Sequence, residues 1–520
     1  MLRLVAAAAV TVVLPGVLLR ELLAPGEADL PRFLSESAAL GLCHLYLAGL
    51  VAYVAGSIEL VLAACMLESA LAAFFTTRAG VELRLQDALL LAATCVAGVA
   101  YCLIPARRYG VILGLDPYVY MAELSHWSKG VFPTLIAITS VSKLLSALGV
   151  SPASFYLWLP ALAYALALPP TYDIAREASG VEAAPLAAAL LVSSSTWIFL
   201  SWGYLRQLLS LPLLLSLPAV LRLAARARPA ARAPLYIMAG VALALSHEIT
   251  LAIAQAYLAA IAAYSLLSGR WSEAKPPMLL LAASMLPAAA AALDSSLRST
   301  LTGYVAQYAH GVGSICELSA TMGAAVYWGI IQWSLGAIAL LNLVRRRSGA
   351  SRHLLMLSLA SLVLALSGVD LAITAPRFTV TLGALLSIAA GCLLGDLSRR
   401  GAAAATASAL AVSASMALGF YLMLTGVTPV YPASLLEAVD YARNLSSTPI
   451  LYPDPLAPLA KAMLEPGCSP YSDVCALPDA LGEGTAAVVL EERLERWMLA
   501  RGVSKVVDAG VASVYMRCGG

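Results

Sequence analysis

The sequence predicts an all-α polytopic membrane protein of about thirteen transmembrane helices, ending in a small extracytoplasmic α/β domain. Three observations predict it. The 520 residues are 61% hydrophobic and 12% charged, with a mean hydropathy of +0.84, whereas about a quarter of a soluble domain is charged. Apolar stretches of about 20 residues, the length that crosses the hydrocarbon core, recur as far as Leu424. After Thr425 the composition shifts toward Pro, Asp and Glu, and short strand and helix patterns replace the long apolar runs.

The expected crossings lie near 4–24, once within 38–75, then near 87–105, 153–170, 184–201, 204–221, 234–248, 249–267, 277–293, 321–343, 353–369, 377–395 and 402–424. The first is apolar enough for a signal peptide, but Ala24-Pro25-Gly26-Glu27 is a poor cleavage site, so it is read as a retained helix. The stretch 38–75 contains Glu59 and Glu68 and is expected to make one crossing plus an interfacial helix. Those two carboxylates, nine residues apart, fall on opposite faces of a helix and make no proton path.

Short cytoplasmic loops carry the excess of Lys and Arg. With thirteen crossings one side receives Arg78 and Arg84, the cluster from Arg222 to Arg232, Arg270 with Lys275, Arg345 to Arg352, and Arg399 with Arg400. That side is the expected cytoplasm, and the N-terminus shares it. The loop with Asp173, Arg176, Glu177 and Glu182 does not fit the pattern. Loops 106–152 and 294–320, His247, Glu248, the segment from Asp370 to Arg377 and the C-terminus are then expected outside. The transmembrane domain is expected to span residues 1–424 and the small soluble domain 425–520, with helices at 433–445 and 491–501 and strands at 449–452, 486–490, 505–508 and 513–516.

The net charge of +2 gives no argument for nucleic acid, because the basic residues sit in short clusters between apolar runs rather than along one face, and no nucleic-acid partner is expected. No Walker, Rossmann or HExxH pattern occurs, which leaves a nucleotide-driven pump or a membrane zinc protease without support. The nine cysteines contain no CxxC pair. Five lie in expected spans, while Cys468 and Cys475 lie outside them and could form a disulfide. Asn444-Leu445-Ser446 fits a glycosylation acceptor.

A few polar residues beside apolar runs stand out, because a charge near the bilayer is costly and is retained for function. Asp116 lies in Gly114-Leu115-Asp116-Pro117-Tyr118-Val119-Tyr120, a segment that also suits a turn. Arg206 and Arg377 could each grip a phosphate with two hydrogen bonds or could snorkel to the interface. His247 could touch substrate or serve as a capped structural residue, with Glu248 as an adjacent acid. Tyr118, Tyr120 and Trp202 could stack on a sugar or belong to the interfacial aromatic belt. His310 and Asp370 are further candidates, Asp370 as a second carboxylate near Arg377 or as its ion-pair partner.

The order of these segments resembles the GT-C superfamily of membrane glycosyltransferases. The resemblance runs through the Asp116 segment, the inner loop from Tyr172 to Gly180, the outer turn from Trp202 to Gln207, Leu245-Ser246-His247-Glu248-Ile249-Thr250 and Pro376-Arg377-Phe378. It covers about residues 87–424 and takes in the protein mannosyltransferase, aminoarabinose transferase and oligosaccharyltransferase types. It implies transfer of a sugar from a polyprenyl-phosphate donor to a protein, lipid or glycan acceptor at the outer membrane face, usually with inversion. Asp116 matches the acidic residue that acts as base or orients the acceptor. Arg206 and Arg377, with His247, Glu248 and Tyr120, are the implied binding residues. A phosphate leaving group needs cationic or metal stabilisation, so a divalent cation, Mg or Mn, is the cofactor to look for. The turn from Gly203 to Gln207 lacks the second acidic residue that many relatives carry there. The alternative readings are a transporter or flippase of lipid-linked sugars and an inactive relative serving as a subunit.

Overall fold

No water reaches the bilayer interior, so a backbone amide there must find its partner within its own helix, and most of the chain is helical accordingly. The structure is a computed structural model. It describes residues 2–76, 81–82, 84–109, 116–125, 133–293, 323, 329–346, 348–367, 377–425, 435–436, 439, 442, 450–453, 468–471, 486–489, 504–508 and 513–516. The chain divides into two compact units, one of Met1–Ile104 with Phe132–Gly426 and one of Pro105–Val131 with Val427–Gly520.

Helix α1 (Leu2–Ala8) continues through a π-helical turn (Ala9–Val13) into α2 (Leu14–Leu23), followed by α3 (Leu30–Ala55) and α4 (Ile58–Thr76). Then come α5 (Leu85–Cys102), α6 (Ile104–Tyr109), α7 (Asp116–Ser125), α8 (Pro133–Ala147) and α9 (Pro152–Ser179). Helices α10 (Ala183–Ser193), α11 (Ser195–Gly203), α12 (Leu205–Leu215), α13 (Leu217–Arg226), α14 (Pro229–Ser246), α15 (Glu248–Leu267) and α16 (Trp271–Leu293) make the middle of the bundle. The last four are α17 (Ile330–Val344), α18 (Gly349–Leu366), α19 (Arg377–Ser398) and α20 (Ala402–Thr425).

Among the described residues, ten helices are long and apolar enough to cross a membrane, or eleven if the bent pair α10–α11 is one span. The chain is thus a multi-pass membrane protein, and the described helices do not complete a count of thirteen. The pair bends by 54° where Ser194 leaves the helix at ψ 142° and its Oγ accepts the Trp197 N–H at 3.1 Å.

One end of the bundle is tied by ion pairs. Arg222 bonds to Asp173 and, at 2.6 Å, to Glu177. Arg176 bonds to Asp29 and, at 3.1 Å, to Asp87. Arg346 bonds to Asp396 and to the Ala178 carbonyl. At the centre, Glu36 accepts from Arg226, from Arg20 at 3.4 Å and from Arg32 at 3.1 Å. These contacts explain the charged loop that the topology left over: Asp173, Arg176 and Glu177 are partners for cations and carboxylates of other helices.

The same contacts correct the N-terminal topology. Arg20, near the end of α2, lies at the ion-pair end, while Arg3 donates to the Gly149 carbonyl at 3.5 Å beside the opposite end of α9. The N-terminus therefore does not share an end with the basic loops. The physical reason is an additional helix. The stretch 38–75 belongs to two antiparallel helices, α3 and α4, parted at the left-handed Gly56 (φ 66°). Strand β1 (Ala28–Asp29) before α3 pairs with β2 (Val81–Glu82) after α4, so α4 returns to the end where α3 began. Glu68, which counted against a second crossing, lies 2.7 Å from His44 of α3.

In the second unit β3 (Ile450–Pro453), β4 (Cys468–Tyr471), β5 (Ala486–Val489), β6 (Ser504–Asp508) and β7 (Ser513–Met516) form one sheet in the order β4-β3-β5-β7-β6. Strand β3 runs parallel to β4 and β5, and β7 is antiparallel to β5 and β6. Four of these strands fall where the sequence predicts them, and β4 is additional. The helices expected at 433–445 and 491–501 fall mostly outside the described residues, as does Cys475.

Candidate active site

Three helices begin together at the end of the bundle away from the ion pairs, and each contributes a charged side chain from its first turn. Arg206 is the second residue of α12, after Tyr204 has left the helical region at φ −132°, ψ 55°. Glu248 opens α15 and Arg377 opens α19. His247 interrupts the run between α14 and α15 with extended backbone (φ −163°, ψ 138°), and its Nδ1 caps α15 by accepting the Ile249 N–H at 3.2 Å. Helix starts bring partial positive charge and unsatisfied N–H groups, so this convergence favours an anion.

Glu248 is the hub. Its Oε2 accepts from Arg206 Nη2 at 2.9 Å, and its Oε1 lies 3.5 Å from Arg377 Nη1 and 3.4 Å from His247 Nε2. Because His247 Nδ1 accepts a backbone N–H, the proton of a neutral imidazole is on Nε2. Nε2 lies 3.1 Å from Arg377 Nη1 and 3.4 Å from Glu248 Oε1, so the ring faces both charged partners. Burial, reinforced by Arg206 and Arg377, holds His247 well below the ordinary imidazole range against the opposite pull of Glu248. The ring is thus neutral at neutral pH.

The cluster is half open. Arg206 and His247 are buried, with side-chain exposures of 7% and 2%, while Arg377 is 16% and Glu248 30% exposed. Residues that the sequence reading gave no role hold it in place. Gln207 Nε2 donates to the Arg377 carbonyl at 2.8 Å and to Thr381 Oγ1 at 2.6 Å, tying the start of α19 to α12. The Arg377 guanidinium lies 5.2 Å from the centre of the Tyr204 ring. Gln207 and Tyr204 belong to the outer turn that carried the resemblance, which was the only signal for them.

Arg206, His247, Glu248 and Arg377 thus come together within the first unit. Asp116 and Tyr120 belong to the second: Asp116 opens α7, its side chain lying outside the described residues, and Tyr120 is buried on the same helix, as is Tyr118. The expected loop 294–320, with His310, and Asp370 lie outside the described residues, as does the Trp202 side chain.

The four clustered residues alone do not fit a divalent cation. Glu248 is their one carboxylate, both of its oxygens face guanidinium nitrogens, and a dication would sit against Arg206 and Arg377. Among the described residues, His44, Cys65 and Glu68 form one group of three possible metal ligands, on α3 and α4.

No family model matches the chain, and no curated protein matches its sequence. Solved structures do. ArnT from Cupriavidus metallidurans bound to undecaprenyl phosphate aligns at a TM-score of 0.55 with 12% identity, covering 82% of this chain and 99% of ArnT. Its apo form aligns at 0.54 with 14% identity, covering 82% and 97%. The archaeal oligosaccharyltransferase AglB from Archaeoglobus fulgidus, in complex with an inhibitory peptide and a dolichol-phosphate, aligns at 0.52 with 12% identity, covering 74% of this chain and 64% of AglB. At such identities the likeness is one of fold, and this chain shares the fold of ArnT and AglB.

Proposed function

We propose that the protein transfers a sugar from a polyprenyl-phosphate donor to a protein, lipid or glycan acceptor, at the end of the bundle that carries Arg206, His247, Glu248 and Arg377. The observation that carries the reading is this convergence on a GT-C fold: two guanidiniums and a neutral imidazole donor, held on one carboxylate, at the starts of three helices. That is an arrangement for a phosphate. Structures of the same fold contain undecaprenyl phosphate in ArnT and dolichol-phosphate in AglB, which supports the same ligand class here.

In the proposed reaction an acceptor nucleophile attacks the anomeric carbon, the bond from that carbon to the phosphate oxygen breaks, and the lipid phosphate leaves with the electron pair. The positive groups stabilise the charge that develops on the leaving phosphate. Glu248 orients both guanidiniums, and His247 adds a donor without adding charge. Asp116 takes the proton of the acceptor. A divalent cation would need a carboxylate besides Glu248. By the positive-inside rule the ion-pair end is cytoplasmic, so transfer occurs at the outer face. Residues 425–520 form a soluble α/β domain on that side.

The test is Asp116→Asn, assayed in reconstituted membranes with a radiolabelled polyprenyl-phosphate sugar. The amide keeps the shape but cannot take the proton, and loss of a general base lowers the rate by about 10²–10⁴-fold. Donor binding should persist. Transfer at the wild-type rate would remove Asp116 from the mechanism.

A further inference from the structure

A cavity of about 990 Å³ opens at the ion-pair end between α13, α14, α15, α16 and α18. Its origin is a close helix contact. Helices α14 and α16 touch where a Cβ on Gly240 would meet Ala283 at 2.6 Å. The cavity lies beside this contact, with Ala283 itself in its wall. Arg232 and Lys275 each lie eight residues before the contact, about 12 Å toward the helix starts, so each helix brings one basic residue to the cavity.

The chemistry changes along the cavity. Arg222, Arg232, Lys275 and Arg352 stand toward the rim with one carboxylate, Glu273, while Tyr236, Ile237, Leu279 and Ala282 line the wall below. The cations differ in how far they are already neutralised. Arg222 is bonded to Asp173 and Glu177, and Arg352 shares Glu273 at 3.7 Å. Among the described residues Arg232 donates to the Ala227 and Ala225 carbonyls and has no carboxylate partner, and Lys275 has no hydrogen bond or ion pair. Ile237 on α14, a helix long and apolar enough to cross a membrane, and Leu279 on α16 are both largely exposed, so this flank of the wedge is open and apolar.

We infer that this wedge binds an anionic phospholipid of the surrounding leaflet, its phosphate held by Arg232, Lys275 and Arg352 and its first chain segments lying against Ile237, Leu279 and Ala282. A basic rim over an apolar, laterally open wall matches a phosphate head on a hydrocarbon chain, and basic pockets between spans at a cytoplasmic face bind such heads. The proposal is independent of the transfer reaction, because the wedge is at the other end of the bundle from Arg377.

The experiment is native mass spectrometry of the full-length protein, purified in mild detergent and titrated with phosphatidylglycerol. Wild type should retain one phosphatidylglycerol in preference to phosphatidylcholine. The Arg232→Ala/Lys275→Ala double variant should retain it about tenfold less, or weaker still. Arg345→Ala/Arg400→Ala, which removes two exposed cations at the same end but outside the wedge, should bind as wild type does. Ala282→Trp leaves the charge unchanged and fills the wall; it should also lose the lipid, which keeps the test open should the double variant fail to fold. Equal retention by wild type and Ala282→Trp would overturn the proposal. So would a parallel loss in the Arg345/Arg400 control, displacement by inorganic phosphate alone, or preferential retention of undecaprenyl phosphate.

Discussion

The two ends of the helical bundle use the same chemistry, arginine against carboxylate, in opposite settings. At one end Glu36 and Arg20 have no exposed side-chain surface, and Arg32 and Arg226 close over the same carboxylate. At the other end Glu248 holds Arg206 and Arg377 but keeps 30% of its side chain exposed. A sealed pair cannot exchange partners, so its role is to join helices. An accessible pair can lend its arginines to an arriving anion. Enclosure of the carboxylate, more than the identity of the residues, separates the structural end from the site.

The largest effect expected from this contrast is at the sealed end. Glu36→Ala takes the shared carboxylate from Arg20, Arg32 and Arg226 and leaves buried Arg20 with Glu21 alone, and breaking a buried pair costs about 3–5 kcal/mol. Thermal unfolding in detergent should show a large loss of stability. An unchanged melting temperature would break the contrast, because it would make the Glu36 hub dispensable.

At the open end the effect should appear in binding. Arg377→Ala should weaken donor capture by about 1.5–3 kcal/mol, the worth of a charged hydrogen bond. Arg377→Lys should fall between, keeping the charge and losing the planar fork. Donor titration measures this order, and acceptor affinity should not follow it. Equal donor affinity in wild type and Ala would leave Arg377 with a purely structural role.

The smallest effect belongs to His247. Its folded-state pKa is depressed, so the folded protein binds fewer protons than the unfolded chain once the pH falls below the ordinary imidazole value of 6.5. Its contribution to stability is therefore present above pH 6.5 and declines as the pH falls through and below that value. Comparing unfolding of wild type with His247→Gln between pH 8 and pH 5 isolates it. Wild type should lose about 1 kcal/mol more for each pH unit below the ordinary imidazole value. Parallel curves would mean that His247 is ordinarily basic and belongs with the accessible charges.

Much of this arrangement was legible because polar residues in an apolar chain are few. Arg206, His247, Glu248 and Arg377 each interrupt a hydrophobic run, and alternation of sides was enough to send them to one end. Helix α4 was not legible as the antiparallel partner of α3. Glu59 and Glu68 count against insertion when the helix is read alone, and His44, 24 residues before Glu68, became its neighbour only when α3 and α4 folded antiparallel. Asp173 and Arg176 were opaque for the same reason, their partners being Arg222, Asp29 and Asp87 on other segments. Strand β4 contains Pro470 within four residues and has no alternation to betray it.

Helix α19 carries Arg377 at its start and Asp396, the partner of Arg346, near its end, about 28 Å away along the axis. Between them Gly391 and Gly395 seat against α10 so closely that a Cβ at either would come within 2.6 Å of the Cα of Ala187 or Ala183. The helix is almost wholly enclosed, and small residues spaced four apart give such a contact its register. Mechanically, α19 is a toothed rod: it can neither slide nor roll without lifting Gly391 and Gly395 from their seats. Adjustment of the guanidinium to a phosphate is then left to the torsions of its own side chain.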